Sequence, residues 1–123
     1  MSKKRVLVVD DSATNRSFIK TYLLLRNFEV ETAEDGLEGF QKAQSSTFDL
    51  IFSDIEMPNM NGIEFLREVK KLPNYQKVPV VILSSLTKES IKQETKSLGA
   101  LYYMEKPFDD AKMTEALKLA GFF

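Results

Sequence analysis

Short apolar runs that stop abruptly at a polar residue decide what this chain can become. Val6-Leu7-Val8-Val9 ends in Asp10-Asp11-Ser12, Leu50-Ile51-Phe52 in Ser53-Asp54, and Val80-Val81-Ile82-Leu83 in Ser84-Ser85. Runs this brief, rich in β-branched residues and without a polar side, suit strands buried on both faces. Parallel sheets bury their strands in this way, because the crossover helices lie on both faces.

The segments between the runs carry helical spacing. Ser12 is placed to cap a first helix from Ala13 to about Arg26, with Phe18, Ile19, Tyr22, Leu23 and Leu25 as its apolar positions and Asn27 closing it. Phe28 to Ala33 alternates apolar and acidic residues, as a half-exposed edge strand would. Glu34-Asp35-Gly36 reads as a turn, and Leu37, Phe40 and Ala43 mark the buried face of a second helix. The third strand, Asp49 to Ser53, leads through a Pro58 to Gly62 loop into a helix with Ile63, Phe65, Leu66 and Val69 inward. Leu72 to Lys77 reads as a polar loop.

Past the Val80 strand, Lys88 to Leu98 has the length of a helix but only Ile91 and Leu98 as firm anchors, so it should be the least securely packed. Gly99 suits the position just beyond its C-terminus. Leu101 to Met104 is a fifth strand. Asp109 or Asp110 caps a last helix with Met113, Ala116, Leu117 and Ala120 inward.

Strand and helix therefore alternate five times, which predicts an α/β fold with a doubly wound, five-stranded parallel sheet. At 123 residues, 43% hydrophobic and 28% charged, the chain suits one globular domain. Two arrangements fit: a flavodoxin-like 2-1-3-4-5 strand order, or half of a dinucleotide-binding fold. No Gly-x-Gly-x-x-Gly follows the first strand, which disfavours the second. A net charge of -1 leaves no footprint for nucleic acid, and no apolar run approaches a membrane span. The basic start, Met1 to Arg5, precedes too short an apolar run for a signal peptide, so a cytoplasmic protein is expected.

The polar residues that end the strands carry the chemistry. Asp10 and Asp11 follow strand one, Asp54 strand three, Ser84 strand four and Lys106 strand five. In a parallel sheet these ends share one rim, and in the 2-1-3-4-5 order the crevice opens between strands one and three. Three carboxylates then converge, and they repel unless a cation sits among them. With no histidine or cysteine in the chain, a structural zinc is close to excluded and the oxygen-only donor set suits Mg²⁺. Lys106 adds a second positive centre and Ser84 a hydroxyl. A carboxylate so surrounded is suited to attack on a phosphoryl group. Taken singly, each residue has a plainer explanation: Asp10 and Asp11 as caps, Asp54 in a turn, Ser84 on a solvated loop, Lys106 on the surface, Tyr103 as a sheet aromatic. Their coincidence at strand ends is much harder to explain away.

The order of these motifs resembles the receiver domains of response regulators in two-component systems, especially single-domain receivers of the chemotaxis CheY type. The resemblance runs over essentially the whole chain: Val6 to Ser12, Ser53-Asp54-Ile55-Glu56-Met57-Pro58 with Asn61-Gly62, Pro79 to Ser85, Gly99-Ala100 and Lys106-Pro107-Phe108. It implies that Asp54 is the phosphoacceptor. It also implies that Asp11, Asp54 and the backbone carbonyl of Glu56 ligate Mg²⁺, with Asp10 acting largely through the metal's waters. Ser84 and Tyr103 take the places of the switch hydroxyl and switch aromatic. Lys106 takes that of the phosphate-binding lysine, with a cis Lys106–Pro107 bond.

The implied partners are a sensor histidine kinase or phosphotransfer protein as donor, and a target protein on the face made by the fourth helix, fifth strand and fifth helix. Neither nucleic acid nor membrane is an expected partner, and a monomer or weak dimer is expected. The chain would catalyse only its own phosphorylation and dephosphorylation. It is expected to be one receiver domain over 1–123 without an output domain, whether free or cut from a hybrid kinase. Glu56 is placed where its side chain overhangs the site, and Leu86 is apolar two residues after Ser84. The rival functions are a docking receiver that is never phosphorylated, an aspartate-nucleophile phosphatase suggested by Asp54-Ile55-Glu56, and a flavodoxin. The phosphatase is disfavoured by the order of the acidic residues, and the flavodoxin by the lack of a phosphate loop after strand one.

Overall fold

The computed structural model describes residues 3–122. Met1, Ser2 and Phe123, the ends of the expected domain, lie outside the described residues. The elements run β1 (Arg5–Val9), α1 (Ala13–Leu24), β2 (Glu29–Ala33), α2 (Gly36–Ser45), β3 (Leu50–Asp54), α3 (Gly62–Val69), a single 3₁₀ turn (Pro73–Tyr75), β4 (Val80–Ser84), α4 (Glu89–Ser97), β5 (Tyr102–Glu105) and α5 (Asp110–Leu119). The strands form one parallel sheet in the order β2-β1-β3-β4-β5. This is the flavodoxin-like, doubly wound α/β architecture expected.

The three apolar runs occupy the three central strands, and alternation along them divides the core in two. Val6, Val8, Phe52 and Leu83 face one way, onto Ile19, Leu23, Met113 and Leu117 of α1 and α5. Leu7, Val9, Ile51 and Ile82 face the other way, onto Ala43, Phe65, Leu66 and Val69 of α2 and α3. Every one of these side chains is buried. Each contributes about 1.5–3 kcal/mol relative to exposure when it is large. With both faces covered, the sheet's polar strand ends are left as the place where chemistry can emerge.

Helix ends follow from side chains named above. Ser12 accepts from the Asn15 amide and Asp109 from the Lys112 amide, so Asp109 rather than Asp110 caps α5. Asn61 and Glu64 form a reciprocal capping box at the start of α3. Gly99 lies just beyond α4 with φ 105°, a conformation that a Cβ would strain.

Several positions differ from expectation. Phe18, Leu25 and Leu37 are exposed, Leu25 by 78%. α2 instead packs through Gly36, Gly39 and Ala43. A Cβ on Gly39 would stand 2.8 Å from a Val9 methyl, so the helix approaches the strand more closely than a side chain allows. α4 fully buries a single side chain, Thr95, while Ile91 and Leu98 are only partly buried. This agrees with its expected weak anchoring. Leu101 is exposed and precedes β5 rather than opening it.

The supposed polar loop at Leu72 to Lys77 hides a fully buried Tyr75. Its hydroxyl lies 2.8 Å from the Ala43 carbonyl and 2.7 Å from that of Ser46, and it donates to this pair at the C-terminal end of α2. Those carbonyls would otherwise be short of donors. Tyr75→Phe should therefore cost about 1–2 kcal/mol, read as a lower urea midpoint at unchanged slope.

Candidate functional site

β1 and β3 are neighbours with Val9 opposite Ser53, so Asp10 and Asp54 leave the sheet side by side. Asp10 is fully buried; its Oδ1 accepts from the Ser12 amide at 2.9 Å. The backbone of Asp10 is held by a bond from its amide to the Ala33 carbonyl. Arg16, four residues beyond the Ser12 cap, returns to donate to the Asp10 carbonyl at 2.6 Å. Asp54, 3% exposed, closes β3, and its Oδ1 accepts from the Ile55 amide at 2.8 Å. Asp11 is exposed at the mouth of the crevice.

Gly62 sets where α3 can begin. A Cβ there would fall 2.0 Å from the Asp54 carbonyl oxygen, so any other residue would push α3 off the strand end that carries Asp54. Lys106 arrives from β5. Its amide donates to the Ser84 carbonyl at 2.9 Å, and the Lys106–Pro107 peptide is cis. Its ammonium stands 3.3 Å from Asp54 Oδ2 and 3.9 Å from Asp10 Oδ2.

The charges do not balance. Asp10, Asp11 and Asp54 can each present an oxygen within 4.8 Å of the others, against the single ammonium of Lys106. Burial, and then the Asp10 charge, push the Asp54 carboxyl up to about 6, although Lys106 and the Ile55 amide pull it down. Asp10 Oδ2 is buried and has no hydrogen-bond donor. A buried carboxylate oxygen without a donor, facing two more carboxylates, fits a hard divalent cation, and the all-oxygen set fits Mg²⁺. The Glu56 side chain is exposed and takes no part in the three-carboxylate group.

Ser84 and Tyr103 reach the site by way of Leu86. Ser84 is fully buried at the end of β4, one position beyond Leu83, which pairs with Asp54. Its Oγ accepts from the Leu86 amide at 2.9 Å, and the Leu86 carbonyl accepts from the Tyr103 hydroxyl at 2.8 Å. The backbone of one residue, Leu86, thus links the rim hydroxyl to a half-buried aromatic on β5. Beside Tyr103, α4 and β5 enclose an open groove of about 790 Å³ lined by Lys92, Lys96, Ala100, Leu101 and Tyr102. All the residues singled out from sequence at strand ends converge on one rim. Arg16 was missed there, as was a link between Asp35 and Asn59 described below; helix-start and turn residues are polar everywhere, so neither stood out.

Residues 6–118 match the family described as response regulator receiver domain. A probable chemotaxis protein CheY from Rhizobium etli is 34% identical over 117 residues, 94% of this chain and 91% of that protein. Several other curated relatives are longer, and the chain spans about half their length. The structure of chemotaxis response regulator CheY4 of Vibrio cholerae superposes with a TM-score of 0.91 at 38% identity, covering 97% of this chain and 99% of that one. CheY in the CheX–CheY–BeF₃–Mg²⁺ complex from Borrelia burgdorferi gives 0.87 at 29% identity, covering 93% and 86%.

Proposed function

The chain belongs to the response regulator receiver family of two-component signalling, and from that premise we propose that it is a switch thrown by phosphorylation of Asp54. The observation that carries this reading is Asp54 itself: a buried carboxylate at a central strand end, 3.3 Å from an ammonium and beside a second buried carboxylate. Asp10, Asp11 and Asp54, with the Glu56 carbonyl, are the residues that would hold Mg²⁺. When bound, the ion neutralises negative charge on the phosphoryl oxygens.

The donor is the phosphohistidine of a sensor kinase or phosphotransfer protein. A carboxylate oxygen of Asp54 forms a bond to phosphorus as the P–N bond breaks, and the leaving imidazole keeps the electron pair and takes up a proton. Lys106, already within reach of both buried carboxylates, holds charge that develops on the phosphoryl oxygens. Ser84 turns its hydroxyl from the Leu86 amide toward the new phosphoryl group. The freed loop shifts the balance of Tyr103 positions, which alters the α4–β5–α5 face that a target protein binds. Hydrolysis of the acyl phosphate resets the switch. The residues needed for this reaction all lie in one domain.

Incubation with acetyl phosphate and Mg²⁺ should add one phosphoryl mass to the intact protein, and chelation with EDTA should prevent it. An unchanged mass in a folded sample that binds Mg²⁺ would contradict the switch and support the docking-module reading.

A further inference from the structure

The β2–α2 turn contributes no group to the site, yet it touches α1 on one side and the β3–α3 loop on the other. Glu34 approaches Arg16, the residue that grips the Asp10 carbonyl, at 3.8 Å. Asp35 reaches the other side. Its Oδ1 caps α2 by accepting from the Glu38 amide at 2.8 Å, while its Oδ2 accepts from the Asn59 side-chain amide at 2.7 Å. Alongside, the Gly36 amide donates to the Met60 carbonyl at 3.1 Å. The Glu38 amide first, and then the Asn59 side-chain amide, hold the Asp35 carboxyl below the usual carboxylate range.

The loop so held, Ile55 to Asn61, carries Glu56. It is fixed at its inner end, where the Ile55 amide donates to Asp54 Oδ1 and the Gly62 amide to the Ile55 carbonyl. At its outer end Asn59 has φ 68°, a backbone state seldom taken by a residue with a side chain. Met57 and Met60 are partly buried against the core, while Glu56, Pro58 and Asn59 are exposed. Burial thus anchors only part of the loop and leaves Asn59 itself to its hydrogen bond. The bonds to Asp35 and Gly36 tie that end to another element.

We propose that Asp35 is a positioning residue: through Asn59 it holds the Ile55–Asn61 loop in the conformation that presents the Glu56 carbonyl to the cation. The proposal rests on the site assigned above. A side chain that orients a ligand-bearing segment typically governs metal affinity by about 10-fold or more, because the loop otherwise has to be ordered on binding.

Asn59→Gly tests it, since glycine keeps the positive φ and removes only the amide. Mg²⁺ titration by calorimetry should show affinity about 10-fold weaker than that of the wild-type protein. The metal-free thermal midpoints of the two should differ little. The exchanged pair Asp35→Asn with Asn59→Asp restores a donor facing a carboxylate at the same net charge, and should bind within about 3-fold of wild type. Equal Mg²⁺ affinity in wild type and Asn59→Gly would overturn the positioning role and leave the site reading intact. Failure of the exchanged pair to recover would also overturn it. Failure of the wild-type protein to bind Mg²⁺ would overturn the site reading, and the positioning role with it.

Discussion

Asp54→Asn should abolish phosphoryl uptake while making the metal-free protein more stable. Asparagine has nearly the shape of aspartate, and its Oδ1 can still accept from the Ile55 amide, so the fold has no reason to change. The amide is no nucleophile toward phosphorus, and the rate with acetyl phosphate and Mg²⁺ should fall by more than ~10³-fold. The gain in stability comes from the crowding of charge at the candidate site. In the native protein an almost fully buried carboxylate sits beside buried Asp10, with one ammonium between them. Removing the Asp54 charge ends the cost of burying it and relieves its repulsion from Asp10, which together outweigh the lost attraction to Lys106. The metal-free variant should melt roughly 3–8 °C higher near neutral pH, an effect of about 1–2 kcal/mol. A site evolved for stability alone would lose, not gain, from that change.

The second large effect is a dependence on pH that Mg²⁺ cancels. Asp54 has a folded-state value of about 6, above the 3.8 of an unperturbed aspartate. Between those values the folded protein binds more protons at this position than the unfolded chain. The contribution of Asp54 to stability therefore falls as pH rises from about 4 to about 6, and is level above. Unscreened, the change is about 3 kcal/mol; with water at the cleft mouth screening the charge it is about 1–2 kcal/mol.

Asp35 and Glu105 act in the opposite sense. Their values are lowered, by the Glu38 amide and by Lys92 respectively, so their contributions are lost as pH falls. The difference between wild type and Asp54→Asn, measured by urea denaturation across this range, isolates the Asp54 effect. Millimolar Mg²⁺ should then stabilise wild type above pH 6 by mass action and leave Asp54→Asn much less affected. Parallel pH curves for the two proteins, or an equal response to Mg²⁺, would remove the claim that the buried charges of the site are in conflict.

How far the sequence speaks depends on what each residue does with its side chain. The central strands were legible because a strand buried on both faces has to be apolar throughout, and Val6–Val9 and Val80–Leu83 are. The convergence of the candidate site was legible because aspartate and lysine are costly beside such strands, so Asp10, Asp54 and Lys106 stand out against Val9, Phe52 and Met104. The packing of α2 was not. Gly39 contributes by having no side chain, and periodicity looks for apolar groups, so Leu37 was favoured in its place although it faces water. Tyr75 was hidden by polar neighbours, because its burial depends on two carbonyls some thirty residues earlier in the chain. The Asp35–Asn59 bond joins two turns, and aspartate and asparagine are ordinary in any turn; only proximity in space gives the pair meaning.

The central claim is that Asp54, and no other carboxylate of the rim, takes the phosphoryl group. Reduction with borohydride after reaction with acetyl phosphate and Mg²⁺ converts an acyl phosphate to an alcohol, and peptide mass mapping then locates it. The alcohol should appear at Asp54 alone, as homoserine, in the peptide that carries Asp54-Ile55-Glu56. Its appearance at Asp10 or Asp11, or at Asp54 in a sample never exposed to the phosphoryl donor, would contradict the account.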